Sequence, residues 1–241
     1  MSAVPGEGSL RRRPALDGHP LWQARGDRAT ARVIIGLAPP RAMLQVSAFL
    51  SDSPGDSSID ADNNGDTGGN TGGNTGGHGH NDGDTGGDSA AQRLSDVLGM
   101  PLPAPNRMTG DASINVRAIG PGIWHVIGDE SRLVSVAQLR QRLDGVATVV
   151  DLGHARAVFH VSGPDAARTI AKHCGLDLDA RIFPNGSATG TRFNHLGMTI
   201  ARIDRADAAS YELSVFRGYA VFVFESLVES AREFGVAIDC G

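Results

Sequence analysis

The sequence predicts an α+β fold built from an internally duplicated strand–helix–strand–strand–helix unit. Three observations carry that reading. The stretch VVDLGHARAVFHVSGPDAARTIAKHCGLDLDARIF, Val149 to Phe183, reads as a strand, a tight turn and a helix. Ala166–Leu178 (AARTIAKHCGLDL) then lies without gaps over Ala90–Leu102 (AAQRLSDVLGMPL), with Ala90, Ala91, Gly99 and Leu102 matching Ala166, Ala167, Gly175 and Leu178. Finally, an apolar strand precedes each copy, and two strands and a further helix follow it: Ile123–Ile127 with the helix near Leu133–Leu143 corresponds to Tyr211–Phe216 with the helix near Tyr219–Phe234.

Residues 1–24 hold Gly, Pro and Arg with little apolar periodicity and read as a tail, with Trp22 as its one docking point. Ala31–Ala38 and Met43–Leu50 are apolar and partly β-branched, and Pro39–Pro40 between them marks a turn, so both read as strands. The segment Ser51–Ser89 repeats a Thr-Gly-Gly-Asn/Asp element and holds Ile59 as its one strongly apolar residue. Ordering a residue costs ~1–2 kcal/mol, which such a composition does not offset, so disorder is expected. The insertion occupies the strand-to-helix turn that Ser162–Asp165 fills in the second copy. Surface turns tolerate such growth, because doubling a loop costs only ~0.6 kcal/mol.

The chain resumes at Ala90 with a helix closed by Gly99 and Pro101, and Pro103, Pro105 and Asn106 mark a loop. Ile114–Ile119 and Ile123–Ile127 are strands around Gly120–Pro121–Gly122. Asp129 and Ser131 are placed to cap the next helix, whose stripe is Leu133, Val136, Leu139 and Leu143. Val146–Leu152 and Ala155–Val161 are strands around Gly153–His154. In the central helix Pro164 suits the first position and Asp165 the first turn. Ala167, Ile170, Ala171 and Cys174 form one face there, and Gly175 is the expected left-handed stop. Phe183–Gly190 reads as a loop, Met198–Ile203 and Tyr211–Phe216 as strands. The last helix buries Ala220, Val223, Phe224, Leu227, Ala231 and Phe234, which leaves Phe222 on the polar side among Glu225, Glu229 and Glu233. That placement predicts an exposed Phe222 serving as an interface anchor. Three regions result: a tail at 1–24, a first lobe at 25–148 containing the insertion 51–89, and a second lobe at 149–241.

A net charge of −5 argues against nucleic acid. The 22 basic residues, 21 of them Arg beside the single Lys172, are scattered apart from Arg11–Arg13, and the Arg excess reads as codon bias rather than a binding surface. Two cysteines, Cys174 and Cys240, make neither a disulfide framework nor a zinc site, and Cys174 falls on the buried helical face. Neither a signal peptide nor a membrane span is legible, so a cytoplasmic protein is expected.

Chemistry is sparse. Asp60, Asp62, Asn64 and Gly65 match four positions of a calcium loop, but position 12 is Thr71 where a bidentate Glu is needed. His78 and His80 offer a weak metal pair, and a solvated linker explains the segment better than any metal reading. Ser162 reads as a helix cap. Asp151 and His154 read as a turn pair, and His125, His160, His173 and His195 are isolated. No nucleophile elbow, phosphate loop, dinucleotide fingerprint or zinc-protease motif occurs. No residue is therefore assigned a catalytic, cofactor-binding or metal-binding role.

The run VVDLGHARAVFHVSGPDAARTIAKHCGLDLDARIFPNGS nonetheless resembles the gamma subunit family of heterotetrameric sarcosine oxidase. LGMPLPAPNR, GPGIWHVIGDES and YELSVFRGYAVFVFESLVESAREFG are similar to further family motifs, in the same order, from about Met43 to Gly235. The sequence departs from the pattern at Gly153 and Gly218 (usually Ser), at Gly175 (usually Pro) and at Thr189–Thr191 (usually Ala-Gln-Thr). The resemblance implies antiparallel sheets with helices packed on them, as in the folate-binding domain of aminomethyltransferase, the glycine-cleavage T-protein. It implies alpha, beta and delta partner subunits, with alpha the main contact, in a complex that oxidises sarcosine to glycine. Tetrahydrofolate accepts the one-carbon unit and hydrogen peroxide is released. FAD, FMN, NAD and zinc are implied on other subunits and none on this chain, whose role is structural and which is not catalytic by itself. The alternative is a stand-alone folate-binding or one-carbon-transfer protein. Tyr211–Glu212–Leu213 lies where T-proteins carry a folate-contacting Glu, although the Tyr-Thr-Gly-Glu segment before it is replaced by DRADAAS. A calcium-responsive module built on the insertion is a third, weaker alternative.

Overall fold

The computed structural model describes residues 15–23, 26–39, 41–49, 86–111, 113–129, 131–205 and 208–239. In chain order the elements are α1 (Pro20–Gln23), β1 (Val33–Leu37), β2 (Ala42–Ala48), α2 (Gly86–Leu98), β3 (Met108–Gly110), β4 (Ile114–Gly120) and β5 (Ile123–Gly128). Then follow α3 (Val136–Arg142), β6 (Ala147–Asp151), β7 (Arg156–Ser162), α4 (Ala166–Ala171), β8 (Ala188–Phe193), β9 (Leu196–Arg202), β10 (Ser210–Phe216), α5 (Ala220–Ala231) and β11 (Val236–Asp239). The fold is α+β, and the strands form two sheets.

The sheets reveal the duplication more fully than the sequence does. One is ordered β3-β4-β5-β2-β6, the other β8-β9-β10-β7-β1-β11. Apart from β1, the two orders correspond strand for strand. Each copy is strand–helix–three strands–helix–strand; β6 answers to the strand read at Val146–Leu152, whereas β3, β8 and β11 were not anticipated as elements. Both early strands are weakly apolar (Met-Thr-Gly and Ala-Thr-Gly-Thr-Arg-Phe), and pairing with β4 and β9 rather than side-chain pattern holds them. β1 and β2, adjacent in sequence, lie in different sheets. β1 runs antiparallel to β7 and parallel to β11, so it wedges open the second copy.

The lobe boundary at 148/149 is thereby corrected. It cuts through β6, and β1 belongs to the sheet of the second copy. Of the tail, residues 15–23 are described, and they pack on the second copy through more than the expected Trp22. Leu16 is fully buried, and His19 and Trp22 meet Phe224 edge-on with ring centroids 5.5 and 5.6 Å apart. Burying such a side chain is worth ~1.5–3 kcal/mol, enough to hold a short segment down.

Helices cover the outer face of each sheet. In the first copy Ala90 and Leu94 of α2, and Leu139 of α3 with Leu143 just after it, pack on Leu44, Val46, Val116, Trp124 and Val126. In the second, Ala166 and Ile170 of α4 and Val223, Phe224 and Leu227 of α5 pack on β1, β7, β9 and β10. The aligned pairs Ala90/Ala166 and Leu94/Ile170 are all fully buried, which supports the gapless overlay.

Local signals fared unevenly. α2 begins at Gly86, inside the segment expected to be disordered; residues 50–85, with the calcium-loop positions and His78 and His80, lie outside the described residues, as does Cys240. Gly99 closes α2 at φ 64°, and Met100 N–H donates to the Ser95 carbonyl. Gly175 does not do the same, since α4 already ends at Ala171 and its buried face is Ala166, Thr169 and Ile170, with Ala171 exposed. α3 is capped by Ser135 and Gln138 in a reciprocal box, one turn later than Asp129 and Ser131 would place it.

At the start of α4, Asp165 makes no capping bond. Its buried carboxylate pairs with Arg32 and Arg168 instead. The Arg32 hydrogen bond, followed by that of Arg168, holds this carboxyl below its usual range against the opposing effect of burial. Gly163 precedes it at φ 110°, where a Cβ would stand 2.3 Å from the Arg32 carbonyl oxygen. The Ser-Gly-Pro-Asp turn is thus a clamp for β1.

Candidate functional site

Between the two sheets lies a layer that is polar where a core would be apolar. Strand alternation produces it. In β4, Val116 and Ala118 face the helices while Asn115 and Arg117 face the other sheet; in β5, Trp124 and Val126 alternate with His125. In β10, Tyr211, Leu213 and Val215 join the helix-side core, and Ser210, Glu212 and Ser214 point the other way, all buried. Among the described residues, a small buried apolar cluster of Met43, Ile127 and Leu152, flanked by Ala155 and Val158, lies in this seam.

The centre is an ion pair between Arg117 of β4, 3% exposed, and Glu212 of β10, 8% exposed. Arg117 Nε also donates to Asn115 Oδ1 at 3.0 Å. His160 Nδ1 lies 3.6 Å and Arg205 Nη2 3.8 Å from the other Glu212 oxygen. Burial by itself would raise the Glu212 carboxyl, but the charge and hydrogen bond of Arg117, with His160 and Arg205 behind it, outweigh burial and hold it below its ordinary value. His125 has no exposed surface; burial first, then the charges of Arg156 and Arg117, push it down to about 3. It is a neutral imidazole whose Nε2 meets Gln45 Oε1 at 3.3 Å. Burial likewise lowers His160, against the pull of Glu212.

So the structure gathers His125 and His160, which look isolated in the sequence, around a carboxylate and an arginine from opposite copies. Their common signal was a polar residue at every second position of an otherwise buried strand. His173 goes elsewhere, stacked on Phe193 at 4.5 Å with Nε2 2.6 Å from Ser230 Oγ, and His195 is exposed between β8 and β9. Asp151 Oδ1 accepts from Gly153 N–H at 2.8 Å, the turn bond expected of it. It lines a cleft with Ser135 and His154, but the Ser135 hydroxyl is engaged as the α3 cap. Cys174 is a buried free thiol 3.6 Å from Thr191 Oγ1, and Ser162 ends β7. Among the described residues no group of His, Cys, Asp and Glu has metal-ligating geometry, and no helix is long and apolar enough to cross a membrane.

Two sheets joined by buried charge and covered by helices can be compared with known proteins. A family model described as the GCVT N-terminal domain matches residues 121–241, half of the chain. The chain belongs to the GCVT N-terminal domain family. The matched part of this GCVT-family chain contains β5, the whole second copy and Glu212. A chain of the heterotetrameric sarcosine oxidase from Corynebacterium sp. U-96, solved in complex with pyrrole 2-carboxylate, superposes with a TM-score of 0.67 at 19% identity, covering 93% of this chain and 96% of that one. The glycine cleavage system aminomethyltransferase T from Bartonella henselae superposes with a TM-score of 0.55 at 14% identity, covering 86% of this chain. The GCVT-family chain spans about half, 48%, of that enzyme. These likenesses establish an aminomethyltransferase-like fold. No curated protein sequence matches.

Proposed function

We propose that this chain is the gamma-type, non-catalytic subunit of a heterotetrameric sarcosine oxidase. The observation that carries the reading is the end-to-end match. The chain accounts for 96% of a chain from such an oxidase, but only 48% of an aminomethyltransferase of related fold. That coverage supports assembly with alpha, beta and delta partners over independent one-carbon transfer. In the complex, sarcosine is oxidatively demethylated to glycine, tetrahydrofolate accepts the one-carbon unit and oxygen is reduced to hydrogen peroxide. FAD, FMN, NAD and zinc are held by the other subunits.

The competing reading, folate binding by this chain itself, has family membership and the position of Glu212 in its favour. Local geometry weighs against it. The Glu212 carboxylate is buried and already met by Arg117, His160 and Arg205, so a pterin would have to displace an arginine from a desolvated ion pair.

Calorimetric titration of the purified chain with tetrahydrofolate separates the two readings. The expected result is no heat, and tetrahydrofolate binding by the assembled complex unaffected by Glu212→Ala. Micromolar binding to the isolated chain, lost in that variant, would replace the subunit reading with the folate-binding one.

A further inference from the structure

Away from the seam, on the helix side of the first sheet, the structure holds a small cleft. Leu44 of β2, with Leu133 and Val136 at the approach to α3, gives it an apolar floor. Asp151, Gly153 and His154, where β6 ends, line its rim. Floor and rim adjoin through the ladder, because Asp151 stands directly across the β2–β6 pair from Leu44. The cleft measures about 200 Å³, below the ~300–1,000 Å³ of pockets that hold a cofactor or a free substrate. It suits one extended side chain. Its polar groups are mostly committed: the Ser135 hydroxyl and amide both bond Gln138, and Arg140 of α3 donates Nε–H to the Val149 carbonyl at 3.0 Å. Asp151 is the exception. Its Oδ1 accepts from Gly153 N–H, and among the described residues it enters no ion pair. The cleft therefore offers an apolar length with one anionic end.

We propose that this cleft receives a single arginine or lysine side chain from a partner polypeptide, its aliphatic stem laid on Leu44, Leu133 and Val136 and its charged head bonded to Asp151. Long basic side chains bury their stems on apolar surface while the head stays at the wet rim, which is the shape and polarity on offer. The carboxylate repels an anionic group, and an apolar side chain seated there would desolvate Asp151 without pairing it. A free amine of that size would lack the neighbouring contacts with which a polypeptide offsets the cost of association. That the partner is an oxidase subunit rests on the function proposed above; the charge and size of the cleft do not.

The test begins on the full chain with n-butylguanidinium as the probe, followed through the NMR shifts of the Leu44, Val136 and Gly153 amides. Saturable shifts are expected, at least roughly tenfold weaker in Asp151→Asn and absent with n-butanesulfonate. Asp151→Asn keeps an oxygen for the Gly153 N–H, so the melting temperature should not move. No saturable shift, or equal binding by Asp151→Asn, would overturn the site. The second arm uses the complex from the protein's own cells. A photo-reactive phenylalanine at exposed Ala137, beside the lining Val136, marks the partner segment over the cleft, which mass spectrometry then maps. Asp151→Lys should weaken assembly at least roughly tenfold, and changing one basic residue of that segment to Glu should restore it. A mapped segment without Arg or Lys, cross-links only to a second copy, or a failed rescue would overturn the docking. Rescue by a polypeptide unrelated to a flavoprotein oxidase would leave the cleft standing and sink the subunit reading. Assembly with oxidase subunits that Asp151→Lys leaves unchanged would do the reverse.

Discussion

The two copies place different chemistry at one equivalent position. In the first, His125 on the middle strand pairs across to Gln45 and Arg117; in the second, Glu212 on the corresponding strand pairs across to His160 and Ala201. Both face the seam, yet the histidine is kept neutral and the carboxylate ionised. A single arginine serves both ends, since the charge of Arg117 disfavours a proton on His125 and on Glu212 alike. The two copies thus share a backbone plan, and the charges that join them across the seam differ between them. The copies also differ at the turn into their first helix. In the second, β1 lies beside that turn and Gly163 lets it approach, so the turn is fixed at Ser-Gly-Pro-Asp. In the first, no strand wedges between β2 and β6, and the insertion occupies that turn. The close contact with β1 at Gly163 leaves little room for a longer turn there.

The most damaging change should be the one that separates the copies electrostatically. Arg117→Leu leaves a buried carboxylate without its partner and should lower stability by ~3–5 kcal/mol, whereas the double variant Arg117→Leu/Glu212→Leu should recover most of the loss. Urea denaturation of the wild type, both single variants and the double variant checks it. A double variant as unstable as Arg117→Leu would mean the seam depends on polarity rather than on pairing.

Next in size is the clamp. Gly163→Ala brings a Cβ into the Arg32 carbonyl at φ 110° and should cost ~2–4 kcal/mol. Gly99→Ala, at φ 64° with nothing within 4 Å of the new Cβ, should cost only ~1 kcal/mol. Thermal melts of the two variants measure the worth of the β1 wedge directly, because the substitution is the same and only the neighbour differs.

The third prediction uses His125. Its value of about 3 in the folded chain lies below the ordinary 6.5, so the folded state takes up fewer protons than the unfolded state between these limits. The stability linked to it is complete above pH 6.5 and is lost as pH falls toward 3, by ~2 kcal/mol between pH 7 and pH 5. His125→Gln, which cannot titrate, should flatten the melting curve against pH in that window. An equal pH slope in both proteins would place the acid sensitivity elsewhere.

The smallest effect belongs to the insertion. Replacing residues 51–85 by a four-residue turn should change stability by less than ~1 kcal/mol, or under ~4 °C in melting temperature, because loop length enters only logarithmically. A larger fall, seen by calorimetry, would show that the segment packs against the first copy.

Much of this was legible. The gapless overlay of Ala90–Leu102 on Ala166–Leu178 points to the duplication. Alternation along Val158–Val161 and Tyr211–Phe216 identifies the strands, and the stripe through Val223, Phe224 and Leu227 identifies the last helix. The polar side of that helix leaves Phe222 outside, as the structure has it. These are local periodicities of 2 and 3.6, which a chain displays whatever it packs against. The pairing of Arg117 with Glu212 is of another kind. Its partners are 95 positions apart and neither is unusual in its own strand. The same holds for the wedging of β1 between β7 and β11, and for the burial of Leu16 in the second copy's core, although Trp22 was legible as a docking point. What the sequence alone determined is which residues alternate and which way each element turns its apolar side. Which strand lies beside which, and hence which charges are buried together, was decided by the tertiary structure, because the free energy of a buried ion pair depends on desolvation and on a partner that no local window contains.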